Sequence, residues 1–467
     1  MKEICDKKMS FNECELAILR TAVDKAEERQ GKKNVNSPEV KNIIGIVETF
    51  LKKKELICYG GTAINNILPK QDQFYNKDVE IPDYDFYSHN ALHDAKELAD
   101  IYNSNGFQEV EAKAGQHHGT YKVFVNFIPV ADITYIPKEL FNSIKKDSIK
   151  IAGILYSPPN LLRMNMYLEL SRPAGDTSRW EKVLKRLTLL NKHYPLTAHK
   201  CYDIEFQRHM SSNNRSEEIY KTVQNTLMDQ DVVFFGGYAL SLYSQYMPKK
   251  TRRKLESIPD FDVLSEDPEM TSQIIKERLH DIDVKDVKII KRPGIGETIA
   301  PNYEIQIGKD TIAFIYEPMA CHSYNIINKD GYKIKIATID TLLSFWLAFL
   351  YADRPYYDKD RILCMATYLF KVQEKNRLAQ KGLLRRFSIN CTGHQETIEE
   401  MRSQKAKKFI ELKNKKNSKE YEEWFLRYRP SDKAEKKKTK SSKKYKNKKT
   451  NKKESKNKTK KIKSLFF

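Results

Sequence analysis

The sequence predicts an α/β (α+β) chain: two tandem copies of one mixed-sheet domain with trailing helices, preceded by N-terminal helices and followed by a disordered basic C-terminal tail. Three observations predict this. First, a pattern of strand, glycine turn, helix and acid pair occurs twice. It reads CYGGTAINN, IPDYDFYS and VADITYIP, then FFGGYALSL, IPDFDVLS and TIAFIYEP, with Gly60 and Gly236 lying 176 positions apart. Second, NLLRMNMYLELSRP after the first copy is answered by DTLLSFWLAFLYADRP after the second, Arg172-Pro173 matching Arg354-Pro355. Third, hairpin-like strands follow one another without helical crossovers, which excludes a repeating βαβ design.

The elements follow in order. Residues 1–54 read as two helices. Ser10 and Glu13 form a capping box ahead of ELAILRTAVDKAEERQ, GKKN is a turn, and Ser37-Pro38 is an N-cap and N1 pair for a second helix. Residues 55–196 form the first copy: strand ELICY, a glycine turn into helix TAINNIL, strand DYDFYS, a helix closed by Gly106, a strand–turn–strand unit from YKVFV to ITYIP, then two helices. Residues 197–230 bridge to the second copy at 231–370, and residues 371–432 read as a charged helical extension. The tail, 433–467, carries 17 Lys against 2 Glu, +15 of the chain's +21. It has almost nothing to bury and is predicted to be disordered and to attract polyanions.

Composition excludes several classes. No run approaches the roughly 18 apolar residues of a membrane span, and MKEICDKKMSF lacks the apolar core of a signal peptide. Seven cysteines at 5, 14, 58, 201, 321, 364 and 391 show no C-x-x-C spacing. This argues against a disulfide framework or structural zinc and for a reducing compartment. His117-His118 lacks partners at metal-ligating spacing and reads as surface or turn. Gly294-Ile295-Gly296 lacks the context of a dinucleotide site, and there is no P-loop. KKTRRK at 249–254 suits phosphates, and suits a solvated loop equally well.

The chemistry gathers in the first copy. Asp83 and Asp85 lie two apart on a strand and so share one face. Asp132 stands in the apolar run VADITYIP, where an unpaired acid is costly. Three converging carboxylates repel unless a cation neutralises them, and Mg²⁺ suits such a set together with substrate phosphates. Gly60-Gly61-Thr62 supplies a close backbone approach and a helix N-terminus for a phosphate. The second copy keeps Asp260 and Asp262, but Ala313 stands where Asp132 is matched, and Tyr238 follows its glycines. One working site and one degenerate sister domain are therefore expected.

This combination resembles the nucleotidyltransferase superfamily of DNA polymerase beta and the poly(A) polymerases. YGGTAINN, IPDYDFYS and VADITYIP resemble the poly(A) polymerases of large cytoplasmic DNA viruses. The resemblance implies template-independent addition of AMP from ATP to an RNA 3′ end. It implies Mg²⁺ or Mn²⁺ on Asp83, Asp85 and Asp132, with the triphosphate held by Gly60, Gly61 and Thr62. It further implies work in the cytoplasm at the viral factory, packaging in the virion, and a homodimer or a processivity partner. Candidates for contacting the nucleotide in Arg163–Arg186 are Asn165, Arg172, Lys182 and Lys185, since Asn reads an adenine edge and Lys or Arg contact phosphates; for any one of them taken singly, a solvated helix face is the favoured reading. Two alternatives stand beside this reading: another terminal nucleotidyltransferase of the superfamily, and an inactive RNA-binding scaffold.

Overall fold

The computed structural model describes residues 4–5, 8–76, 78–198, 201, 204, 206, 210, 215–255 and 261–432. The lysine-rich tail, Asp260 and part of the bridge at 197–230 lie outside the described residues. The chain packs as two units: Met1–Leu56 with Tyr75–Tyr135 and Arg402–Phe467, and Ile57–Phe74 with Ile136–Met401. The packing units therefore interleave along the chain, whereas the sequence repeat is tandem.

In the first unit, helix Phe11–Val35 begins at the expected capping box: Ser10 N–H donates to Glu13 (2.8 Å), and Glu13 N–H donates to Ser10 Oγ (3.4 Å). GKKN is not a turn. It lies inside this helix, because Gly31 serves close packing: a Cβ there would stand 2.4 Å from the Val79 carbonyl oxygen. Helix Pro38–Lys54 starts at Ser37 and turns Val40, Ile43, Val47, Phe50 and Leu51 inward, each large apolar side chain contributing about 1.5–3 kcal/mol by burial.

This helix and helix Ala91–Ser104 cover one face of a sheet. Its strands run Arg427–Tyr428, Val110–Ala114, Thr120–Val125, Ile128–Tyr135, Tyr84–Ser88, with the last pair parallel and the others antiparallel. Tyr84, Phe86, Tyr121, Val123, Val125 and Ile133 point into the covered face. Period-two alternation leaves Asp85, Lys122 and Asp132 half-exposed and Lys113 exposed on the other. Strand Arg427–Tyr428 also shows that the segment after residue 371 is not helical throughout.

In the second unit, strand Ile57–Cys58 pairs in parallel with Ile154–Tyr156, which pairs antiparallel with Ile149–Ile151. Helix Gly60–Ile67 follows its strand directly. Helix Pro159–Leu170 packs against Trp180–His193 and against its repeat counterpart Ile339–Phe349. The same unit holds an eight-stranded sheet in the order Val287–Arg292, Asn302–Ile307, Asp310–Tyr316, Phe261–Leu264, Val233–Phe234, Tyr332–Ala337, His322–Lys329, Cys391–Thr392. Its first four strands repeat the antiparallel, antiparallel, parallel pattern of Val110–Ala114 through Tyr84–Ser88. Strand Val233–Phe234 repeats the parallel then antiparallel pairing of Ile57–Cys58 and its neighbours.

The duplication reaches single residues. Both copies carry a register shift at the same place, between Val123 and Phe124 in one and between Ile305 and Gln306 in the other. Before it, Val123 pairs with Ala131 and Ile305 with Ala313. Ala313 therefore matches Ala131, and the residue in the place of Asp132 is Phe314. The expectation is corrected in residue but not in kind, since an apolar side chain still replaces the third acid.

The cysteines correct a second expectation. The structure joins Cys5 to Cys14, Cys201 to Cys364 and Cys321 to Cys391, leaving Cys58 as a buried thiol. Sequence separations of 163 and 70 carry no sign of such proximity, because folding alone brings those positions together. KKTRRK lies on helix Lys249–Leu255 and not on a loop.

Candidate active site

The acids belong to the first unit and the glycine turn to the second. Asp85 and Asp132 are register partners on parallel neighbouring strands, which places them side by side about 4.8 Å apart along the sheet. Asp83 stands one residue ahead of strand Tyr84–Ser88, where it feels the Asp132 charge. Lys122, directly opposite Asp132 on the antiparallel side, forms an ion pair with it.

The electrostatics are those of crowded carboxylates. The Asp83 carboxyl is held above the ordinary aspartate range, first because surrounding protein strips water from it and then because of the Asp132 charge; Lys122 pulls the other way. The residue is itself exposed, so solvent screens much of this repulsion. Among the described residues, the ligand atoms that approach within 4.8 Å of one another are those of His93, Asp94 and Glu97; the three aspartates are spread more widely. That tighter cluster is already neutralised by Lys54, which contacts Asp94 at 3.2 Å and Glu97 at 2.5 Å. The aspartates fit a hard divalent cation: all donors are carboxylate oxygens, and one is already compensated by a positive side chain.

In the second unit, Gly60 takes a positive φ of 70°, which admits glycine at the start of helix Gly60–Ile67. No side chain of the N-cap residue Tyr59 closes this helix end. Thr62 is buried at its first turn. Asn65 accepts from the Phe74 N–H at 2.8 Å and Asn66 donates to the Tyr156 hydroxyl at 3.0 Å, anchoring the helix.

The nucleotide candidates divide. Asn165 is half-buried on helix Pro159–Leu170. Arg172 follows the helix with its Nε buried and without a hydrogen-bond partner, and burial depresses its pKa against the pull of Glu297 and Glu169. That is the condition of a cation able to take an anion. Lys182 and Lys185 are exposed, and Lys185 pairs with Glu181 at 2.5 Å one turn away, so both sit on a solvated helix face. The fully buried Arg163, not singled out by sequence, is structural: its guanidinium donates to Asn191 at 2.7 Å, to Asn160 and to the Tyr194 carbonyl.

The sister site is closed. A Cβ on Gly236 would stand 2.0 Å from Asp262 Oδ2, so the acid lies directly on the glycine turn. Phe314 is 1 % exposed and packs on Tyr316 and Tyr356. The cavity left among Asp262, Phe314, Trp346 and Tyr357 is about 30 Å³, the room of one water. Opposite Phe314, where the first copy has Lys122, stands Glu304, buried and held by Arg292 at 2.6 Å. His117-His118 lies at the turn before strand Thr120–Val125, with His118 against Trp424 at 4.3 Å.

In fold the chain is similar to the Megavirus polyadenylate synthase, whose crystal structure superposes with a TM-score of 0.75 at 20% identity, over 92% of this chain and 88% of that one. More particularly, residues 45–176 match the family described as poly(A) polymerase catalytic subunit. That stretch contains the glycine turn, all three acids, Asn165 and Arg172, but neither Lys182 nor Lys185. A putative poly(A) polymerase catalytic subunit of African swine fever virus (strain Badajoz 1971 Vero-adapted) is 34% identical over 171 residues, 35% of this chain and 36% of that protein. One from Acanthamoeba polyphaga mimivirus is 33% identical over 162 residues, 34% of this chain and 27% of that protein. The matched segment spans about a third of these relatives.

Proposed function

We propose that this chain is a template-independent poly(A) polymerase that adds AMP from ATP to the 3′ end of mRNA in the first copy. The observation that carries the reading is the side-by-side placement of Asp85 and Asp132, with Asp83 close enough to feel the Asp132 charge, inside the segment similar to poly(A) polymerase catalytic subunits. Asp83, Asp85 and Asp132 would hold two Mg²⁺ or Mn²⁺ ions, which when bound activate the attacking hydroxyl and stabilise the departing pyrophosphate. Asp132 gives up its Lys122 partner to take that role. The Gly60-Gly61-Thr62 turn receives the triphosphate on its backbone N–H groups, and Arg172 offers its buried guanidinium to a phosphate oxygen. The same reading puts the enzyme at the cytoplasmic viral factory and in the virion, working as a homodimer or with a processivity partner.

The test is incubation of the full chain with a labelled RNA primer, Mg²⁺ or Mn²⁺, and each nucleoside triphosphate separately. A long ladder with ATP alone is the expected result. One or two additions would instead identify another terminal transferase, and binding without incorporation a scaffold.

A further inference from the structure

The register of the first-unit sheet sets five charged residues in one cross-strand row. Asp85 pairs with Asp132, Asp132 with Lys122, Lys122 with Lys113, and Lys113 with Arg427. Paired residues point to the same face, so three cations lead from the acids to the sheet edge at about 4.8 Å per step. Lys113 and Arg427 are exposed, and Lys122 is 39% exposed along its side chain. Beside the row lies a cavity of about 330 Å³, lined by Lys113, Phe124, Phe127, Glu109, Glu111 and Arg429 among others. Lys113 sits 4.1 Å over the Phe124 ring. Glu111 is compensated by both Arg427 (3.2 Å) and Arg429 (3.3 Å).

Phe127 is the least explained residue on this edge. It is 83 % exposed at the tip of a two-residue hairpin, with φ of 66°. A bulky aromatic in the left-handed region is strained, and such strain collects where function needs it.

The sister sheet is an internal control. It has the same strand order and the same register shift, yet the positions of Asp132, Lys122 and Lys113 hold Phe314, Glu304 and Ile290. The cation row is thus not a demand of the fold. It occurs in the copy that carries the acids and is lost in the copy where the third acid is lost.

We infer that this row and cavity form the track of the RNA primer upstream of its 3′ end: backbone phosphates cross Lys122, Lys113 and Arg427, and a base stacks on Phe124 and Phe127. The inference rests on the polymerase reading. Phosphate-binding cations interleaved with exposed aromatics are the means by which single strands are held without sequence selection. From Asp132 back to Phe127 is five residues of extended strand, about 16 Å. At about 3.4 Å per nucleotide along one stacked strand, the stacking site lies roughly five nucleotides from the 3′ end.

The experiment uses the full chain and 5′-labelled oligoadenylates of 3 and 15 nucleotides, with affinity followed by anisotropy across a salt titration. Lys113→Ala/Arg427→Ala is expected to lower the salt slope for the 15-mer by about 1.4, two contacts at about 0.7 each. Phe127→Gly, which relieves the backbone and so folds at least as well, is expected to weaken the 15-mer about tenfold and leave the trimer unchanged. An unchanged slope and affinity in both variants overturns the track, as does an equal loss in Lys288→Ala on the sister sheet. Incorporation by the wild type is scored separately. Ladder synthesis with unchanged binding in the variants rejects the track alone. Altered binding without any wild-type synthesis rejects the polymerase reading and leaves the track.

Discussion

In the proposed reading the three aspartates carry the chemistry, and the pressure of the Asp132 charge on Asp83 is measurable. The folded-state pKa of Asp83 is raised. A raised acid contributes its stability below the ordinary aspartate value, about 3.9, and loses it as pH rises through the raised value. Asp83→Asn is therefore expected to raise the melting temperature at neutral pH, to converge with wild type in acid, and to abolish activity. Added Mg²⁺ should raise the wild-type melting temperature more than that of the variant. Thermal melts across pH, with and without the cation, check this; a lower neutral-pH melting temperature for Asp83→Asn would contradict it. The convergence of Asp85 and Asp132 was expected from the sequence, and the parallel register brings the two side by side. Lys122 was not, because its place opposite Asp132 depends on strand register. Lys182 and Lys185 lie exposed, and residue type alone does not say which cation of a charged helix face meets a nucleotide.

Elements were legible where local chemistry decides them and obscure where packing does. The capping box at Ser10 and the Ser37-Pro38 start stand as read. Gly31 was misread as part of a turn because its purpose, room for the Val79 carbonyl, is not written locally. Alanine at that position gains about 1 kcal/mol in helix propensity but meets backbone, and overpacking costs about 1–3 kcal/mol. Gly31→Ala is expected to destabilise the chain in urea titration, whereas a mere turn or helix glycine would give a stabilised variant. Strand register likewise has no sequence signal, which is why Ala313 was matched to Asp132 in place of Phe314. Phe314→Asp puts a charge into an aromatic cluster opposite the buried Glu304. It should cost about 3 kcal/mol or more and create no second active site, read by denaturant unfolding and by primer extension in an Asp83→Ala background.

At the scale of the molecule, the sequence showed a duplication and the structure shows how unequal its halves have become. Topology, strand pairing and even the irregular register survive in both copies, because a shared core geometry tolerates apolar exchange. The open face has diverged completely. One copy presents acids, cations and exposed rings; the other is filled by Phe314, Tyr316, Phe349 and Tyr356. The interleaved packing units and the disulfides across 163 and 70 residues were illegible, since both are long-range consequences of folding.

The central claim is that one copy works and the other does not. The direct measurement is single-turnover incorporation of AMP into an RNA primer by wild type, Asp132→Ala and Asp262→Ala. Loss of a charge-holding group predicts a fall of about 10³-fold or more for Asp132→Ala, with Asp262→Ala retaining wild-type rate once its folding is verified. Residual synthesis in Asp132→Ala, abolished by Asp262→Ala, would place the active site in the second copy and contradict the account.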